Sequence, residues 1–115
     1  MGRIEAILLA AGYSSRMGRL KPLLPIGGTT VIRRQAEVLD GLTDRTIVVT
    51  GYRGDEVEAH LSGSRVTTVR NQAFAEGMFT SVKAGILALD QEVSAFLILP
   101  VDYPLVTRSL IEDLI

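Results

Sequence analysis

Short apolar runs alternate with segments of helical periodicity along this chain. Four of these runs contain branched residues and show no apolar–polar alternation, which is typical of strands buried in a parallel sheet; they lie at 4–11, 46–50, 66–69 and 95–99. Between them, apolar residues recur at intervals of three and four, which predicts three amphipathic helices. The expected buried faces are Val31, Ile32, Ala36 and Leu39; Val57 and Leu61; and Met78, Val82, Ile86 and Leu89. The pattern therefore predicts successive βαβ units.

Such units predict the architecture and also the place where a ligand binds. Right-handed crossovers put helices on both faces of a mostly parallel sheet, which makes a three-layer α/β/α arrangement. All strands then run the same way, so the segments that follow them share one edge, and ligands bind at that carboxyl edge. The segments expected to meet there are 10–22, 50–54, 71–81 and 100–104.

Composition and charge exclude several classes of function. The chain has 115 residues, of which 47% are hydrophobic, and can bury one core. A net charge of −1 leaves no basic excess for nucleic acid or a membrane surface, so neither is an expected partner. The absence of cysteine excludes disulfides and thiol chemistry and fits a cytoplasmic protein. No signal-peptide pattern precedes the first strand, and no apolar run approaches the length of a membrane span.

A glycine-rich loop with two cations follows the first apolar run. It reads L-A-A-G-Y-S-S-R-M-G-R-L-K from Leu9 to Lys21. Glycine lets the backbone approach a ligand and point amides at anionic oxygens, while Arg16 and Lys21 neutralise negative charge. The loop is not a P-loop, because Lys21 is followed by Pro22, and it lacks the G-x-G-x-x-G fingerprint. The residues favour a nucleotide triphosphate site; the alternative is a tight connection with solvated charges.

Three segments give the chain a family resemblance. The loop matches L-A-A-G-x-S-x-R-M-G-x-x-K at every fixed position, G-M-F-T-S at 77–81 resembles a second nucleotide-contacting segment, and P-V-D-Y-P at 100–104 resembles a metal-binding D-x-P turn. With these motifs, residues 4–115 resemble the MobA-like nucleotidyltransferases, and within them the members that transfer a cytidylyl group to molybdopterin. The resemblance implies a Rossmann-like nucleotidyltransferase fold.

The resemblance also implies roles for individual residues. The catalytic residues would be Lys21, Arg16 and Asp102, with Asp102 holding Mg²⁺. The residues implied in nucleotide binding are Leu9, Ala10, Ala11, Gly12, Ser14, Arg16, Lys21, Asn71, Gly77 and Ser81. The start of the third helix offers free amides to an anion, although a glycine and a serine there also serve to cap and pack a helix. The alternative for both Asn71 and Asp102 is a simple loop or turn position, although an acid at the ligand edge opposite two cations favours a metal role for Asp102.

The implied reaction transfers a nucleoside monophosphate from an NTP to a phosphorylated acceptor and releases pyrophosphate. Ala11 stands where cytidylyl members typically carry alanine and guanylyl members glycine, which favours CTP; the residues alone do not separate CTP from GTP or UTP. The implied acceptor is molybdopterin, and a molybdenum hydroxylase would be the partner that receives the product. Two alternatives stay open: a nucleotidyltransferase for a sugar or polyol phosphate, and a non-catalytic nucleotide-binding module.

The family comparison also concerns the length of the chain. Family members continue for roughly half as long again, as a full α/β domain does. We therefore expect residues 1–115 to be the N-terminal nucleotide-binding part of a single nucleotidyltransferase domain that is truncated at its C-terminus. The missing part would hold further strands, a second metal ligand and most of the acceptor pocket. The last residues, 107–115, predict the start of a helix capped by Thr107.

Overall fold

The computed structural model describes residues 3–11 and 25–101, with Pro25 and Ile26 described by their backbone alone. The elements are β1 Arg3–Ala10, β2 Pro25–Ile26, β3 Thr29–Thr30, α1 Val31–Leu39, β4 Arg45–Thr50, α2 Gly54–Ala59, β5 Thr67–Arg70, a 3-10 helix Phe74–Glu76, α3 Met78–Leu87 and β6 Val93–Pro100. Among these described helices, none is long and apolar enough to cross a membrane.

Four strands form one parallel sheet in the order β5-β4-β1-β6. They are the four predicted strands, with bounds that differ from the prediction by at most two residues. The chain builds outward from β1 to β4 and β5, and then returns to the opposite side of β1 to form β6. The order therefore reverses between β1 and β6, and open α/β sheets bind ligands beside such a reversal. The short strands β2 and β3 pair with each other as an antiparallel hairpin.

Helices cover both faces of the parallel sheet. Successive side chains of β1 point to opposite faces, and all six residues from Glu5 to Ala10 are buried. Ala6 and Leu8 share one core with α1 and α2, whereas Ile7 and Leu9 share the other core with α3. The predicted three-layer α/β/α fold is confirmed.

The first helix follows its sequence prediction closely. The Thr30 hydroxyl caps α1 by accepting a hydrogen bond from the Arg33 N–H at 3.4 Å. Gly41 comes two residues after the last residue of α1 and has a φ of 86°, a left-handed conformation that favours glycine. The face that α1 buries consists of Ile32, Gln35, Ala36 and Leu39.

The buried face predicted for α3 is wrong in part. Val82 and Leu89 pack against the sheet, but Met78 is 64% exposed and Ile86 is 42% exposed. The buried residues of α3 are instead Ser81 and Gly85. A Cβ atom at Gly85 would lie 2.5 Å from Cγ2 of Ile7, so the helix backbone approaches the sheet closely along its smallest residue. This approach turns Ile86 away from the core.

A buried carboxylate ties several elements together at the amino end of the sheet. Glu5 is fully buried, and its carboxylate accepts hydrogen bonds from Arg3 Nε at 2.6 Å and from the Asp90 N–H at 3.1 Å. Arg45 Nη1 lies 3.6 Å from the same carboxylate. The hydrogen bond that Arg3 donates to Glu5 raises the pKa of the Arg3 guanidinium. Because this cluster lies at the opposite edge from the strand ends, its role is structural.

Candidate functional site

The predicted convergence of the segments after the strands is confirmed for the described residues. The strand register aligns Leu9 with Pro100, Ala10 with Thr50, and Thr50 with Arg70. The four strands therefore end at one edge, and the residues that follow them are Ala11, Gly51, Asn71 and Val101. This edge contains the switch point between β1 and β6, where the topology predicts a ligand.

Asn71 organises the part of this edge that follows β5. Its side chain is 7% exposed, and its amide nitrogen donates hydrogen bonds to Thr80 Oγ1 and Ser81 Oγ, both at 2.9 Å. Its amide oxygen accepts a hydrogen bond from the Ala73 N–H at 3.0 Å. The backbone N–H of Asn71 donates to the Thr50 carbonyl at 2.7 Å. Asn71 thus connects β4, the 3-10 helix and the start of α3.

The amino end of α3 lies at the same edge, and Gly77 is the N-cap residue directly before it. Gly77 has a φ of 117°, which side chains rarely adopt, and a Cβ atom there would meet nothing within 4 Å. The Thr80 hydroxyl lies 2.7 Å from the Gly77 carbonyl and 3.0 Å from the Ala73 carbonyl. These bonds hold the first turn of α3 in place. The amides of a first helical turn have no partner within the helix, and the helix dipole favours an anion there.

Gly51 brings the end of β1 against the segments that follow β5. A Cβ atom at Gly51 would lie 2.7 Å from the Cβ of Phe74, 2.9 Å from the Cβ of Ala11 and 3.0 Å from the carbonyl oxygen of Asn71. The ring of Phe74 packs against Tyr52 with centroids 5.9 Å apart. The residues that follow β4 are therefore packed tightly against the residues that follow β1 and β5.

The end of β6 is fixed against β1 and α1. The Val101 N–H donates a hydrogen bond to the Leu9 carbonyl at 2.9 Å. Gln35, which is 3% exposed on α1, donates from Nε2 to the Val101 carbonyl at 3.5 Å. Both contacts position the residue that directly precedes Asp102.

Two arginines near the ends of β4 and β5 are paired with carboxylates. Arg70 Nη2 lies 2.8 Å from Asp55 Oδ1 and 2.7 Å from Glu58 Oε2. The hydrogen bonds that Arg70 donates to Asp55 and then to Glu58 raise the pKa of its guanidinium. Arg53 Nη2 lies 2.7 Å from Glu56 Oε1, and this hydrogen bond raises the pKa of Arg53. The positive charge of both arginines is therefore balanced within the protein.

The structure brings together six of the predicted site residues. Leu9, Ala10 and Ala11 lie at the end of β1, while Asn71, Gly77 and Ser81 surround the start of α3. Gly12, Ser14, Arg16, Lys21 and Asp102 lie outside the described residues, and so do residues 107–115. Their roles stay predictions. Within 3–11 and 25–101, no three His, Asp or Glu side chains form a group able to hold a metal ion.

Sequence reasoning missed Gly51 and Thr80. Gly51 directly follows a buried strand at the ligand edge, and a glycine in that position is a signal of close backbone approach. Thr80 stands within the G-M-F-T-S segment, between two residues that were singled out. Its importance comes from the hydrogen bond with Asn71, which no local pattern reveals.

Comparison with known proteins shows the family to which the chain belongs. Residues 6–115 match the family model of the MobA-like NTP transferase domain. Over 93 residues the chain is 40% identical to the molybdenum cofactor cytidylyltransferase of Escherichia coli strain K12, and the match covers 80% of this chain and 48% of that protein.

Solved structures show the same fold. A nucleotidyl transferase from Methanothermobacter thermautotroptrophicus superposes with a TM-score of 0.88 and 34% identity, over 98% of this chain and 56% of that one. A manganese complex of Rv0371C from Mycobacterium tuberculosis H37Rv shares the fold with a TM-score of 0.75 and 23% identity, over 97% and 57% of the two chains. The chain spans about half the length of these relatives.

Proposed function

The chain belongs to the MobA-like NTP transferase family, and from that premise we propose that it is the nucleotide-binding part of a Mg²⁺-dependent cytidylyltransferase. The enzyme transfers CMP from CTP to the phosphate of molybdopterin and releases pyrophosphate. The observation that carries the proposal is the meeting of Ala11, Asn71 and the amino end of α3 at one sheet edge, beside the β1/β6 reversal. The 40% identity to the Escherichia coli cytidylyltransferase supports the choice of CTP and molybdopterin.

The nucleotide lies across two segments of this edge. Backbone groups of Leu9, Ala10, Ala11 and Gly12 contact its ribose and base, and the amino end of α3 faces it from the other side. Both N–H groups of the Asn71 side chain already have partners within the protein. We therefore assign a positioning role to Asn71. Through its hydrogen bonds to Thr80 and Ser81 it holds the start of α3, which forms one wall of the nucleotide site.

Neutralisation of the triphosphate falls to the glycine-rich loop. Arg53 and Arg70 stand near this edge, but carboxylates balance their charges. Arg16 and Lys21 follow β1 in the sequence and would supply the positive charge that the triphosphate needs. An arginine matches phosphate oxygens bidentately, and a lysine adds a compact point charge.

We assign the magnesium ion to Asp102, which comes two residues after the end of β6. Asp102 directly follows Val101 in the sequence, and the N–H of Val101 donates a hydrogen bond to the Leu9 carbonyl. Mg²⁺ typically uses one or two carboxylates together with substrate phosphates, and Asp102 would supply one such carboxylate. Bound there, Mg²⁺ would polarise the phosphoryl group and offset the charge of the leaving pyrophosphate.

The protein's own part in the reaction is alignment and charge stabilisation. An oxygen of the acceptor phosphate attacks the α-phosphorus of CTP, the bond from that phosphorus to the β-phosphate oxygen breaks, and pyrophosphate leaves. Holding both reactants in line removes much of the entropic barrier. Lys21 and Arg16 stabilise the charge on the α-phosphoryl and pyrophosphate oxygens. No covalent bond to the protein forms.

A nucleotide panel tests the proposal. The melting temperature of the chain is measured with CTP, GTP, ATP and UTP, each with and without Mg²⁺. A ligand that binds only the folded state at about 100 times its Kd adds about 2.7 kcal/mol of stability. We expect the largest rise for CTP with Mg²⁺.

Variants in the loop make the panel specific. Lys21→Ala should abolish most of the CTP shift, and Arg19→Ala is the matched control, because it removes a neighbouring cation outside the fixed motif positions.

A cooperative melt with no shift from any nucleotide contradicts the proposal. If the whole protein transfers CMP to a sugar or polyol phosphate but not to molybdopterin, the proposed acceptor is wrong and that phosphate is the acceptor instead. Nucleotide binding with no transfer at all would favour the non-catalytic module. For the partner, we further expect the whole enzyme, when it carries its product, to bind a molybdenum hydroxylase.

A further inference from the structure

Gly51 stands at the junction of the two segments that the nucleotide must span. Three atoms crowd the place where its side chain would begin: the Cβ of Phe74 at 2.7 Å, the Cβ of Ala11 at 2.9 Å and the carbonyl oxygen of Asn71 at 3.0 Å. Each of these atoms is either part of the backbone or attached directly to it. None of them can move away by changing a side-chain rotamer, so a methyl group at Gly51 forces the backbones apart.

The crowded neighbours belong to different parts of the candidate site. Ala11, which is 2% exposed, begins the glycine-rich loop. Asn71 holds the first turn of α3 through Thr80 and Ser81, and Phe74 begins the 3-10 helix that leads into α3. Gly51 itself is buried at the end of β4, between the end of β1 and these later segments. Its missing side chain therefore sets how closely Ala11, at the end of β1, approaches the segments that lead into α3.

We propose that Gly51 is a positioning residue of the nucleotide site. It contacts no nucleotide. It acts by fixing the distance between the backbone of Ala11 and the start of α3, which Asn71 holds in place. This inference rests on the proposed function, because a ligand must bridge both segments for their separation to matter. Binding and catalytic groups must be held within about 0.5 Å of the productive geometry, and a displacement of about 1 Å can cost a factor of about 100.

The test compares two buried glycines in the full 115-residue chain. Gly51→Ala should weaken CTP binding in the presence of Mg²⁺ by at least about tenfold, measured as Kd by calorimetry. Gly85→Ala is the matched control, because a Cβ there would also crowd its neighbours, at 2.5 Å from Ile7 Cγ2, but within the core beneath α3. We expect Gly85→Ala to lower the melting temperature while changing the Kd for CTP less than about twofold. A purely structural role for Gly51 would make the two variants behave alike.

A measurement on the unmodified chain keeps the inference testable if Gly51→Ala does not fold. On addition of CTP and Mg²⁺, the amide resonance of Gly51 should shift together with those of Ala11 and Asn71, while that of Gly85 stays in place. An unmoved Gly51 resonance, or a folded Gly51→Ala with unchanged Kd, overturns this inference and leaves the proposed function standing. If the unmodified chain binds no nucleotide, both the inference and the proposed function are overturned.

Discussion

Replacing Asn71 with alanine tests whether one buried amide holds the start of α3 in place. The side chain makes three hydrogen bonds, at 2.9, 2.9 and 3.0 Å, to Thr80, Ser81 and the N–H of Ala73. Because Asn71 is 7% exposed and Ser81 is 5% exposed, water has little access to the groups that lose their partner. The variant should therefore be destabilised by more than a typical surface substitution.

The expected size follows from the number of bonds. A hydrogen bond within a protein contributes about 0.5–1.5 kcal/mol net, so the loss of three predicts about 2–4 kcal/mol for Asn71→Ala. Ser81→Ala removes one of the three bonds and should cost about 1 kcal/mol. If the two residues act through their mutual bond, the double variant should show a coupling of about 1 kcal/mol.

The assay is urea unfolding followed by circular dichroism, on the unmodified chain, the two single variants and the double variant. Equal slopes of the four unfolding transitions would show that the denatured states are comparable. A loss below about 0.5 kcal/mol for Asn71→Ala, which is the range of ordinary surface substitutions, would refute the reasoning. So would strictly additive effects, since they would mean that Asn71 and Ser81 do not act on each other.

Three further predictions concern the rest of the fold. Glu5→Ala should lower the free energy of unfolding by about 1–3 kcal/mol in urea titrations, because the partly buried N–H of Asp90 loses its acceptor. A loss below about 0.5 kcal/mol would contradict the role given to this carboxylate. Phe96 and Ile98 are 42% and 36% exposed on β6, which is an edge strand of the described sheet. The chain should therefore self-associate in analytical ultracentrifugation, and Ile98→Lys should suppress this association. Unchanged association of the variant would implicate another surface. Because the pKa of Arg70 is raised, its contribution to stability is complete below the ordinary arginine pKa and is lost only as the pH rises through the raised value. Arg70→Ala should therefore lower the melting temperature equally at about pH 6 and about pH 9. A difference between the two pH values would contradict the ion-pair assignment.

The fold was largely predictable because its strands are local patterns. The run in β1 is apolar at nearly every position, and a strand buried on both faces leaves such a signature. The face of α3 was predicted less well, since periodicity assumes that large apolar residues point inward. Gly85 provides a closer approach to Ile7 than a larger residue would allow, and the helix packs along that line instead. Such a choice depends on the partner surface and cannot be predicted from helix spacing.

The site was predictable at the level of segments but not of contacts. The family resemblance singled out Asn71 and Ser81 separately, and the structure shows that they are hydrogen-bonded to each other. Gly51 was missed because its meaning comes from Ala11 and Phe74, which are far from it in sequence. Long-range packing of this kind leaves no periodic signal, so only the folded arrangement reveals it.

The most direct test of the account is an NMR titration of the chain with CTP and Mg²⁺, following backbone amide resonances. If the nucleotide binds at the carboxyl edge, shifts should concentrate in residues 9–21, 71–81 and 100–104. Resonances of Glu5 and Asp90, at the amino edge, should stay in place. Shifts centred on the amino edge, or none at saturating CTP, would contradict the claim that this edge is a nucleotide site.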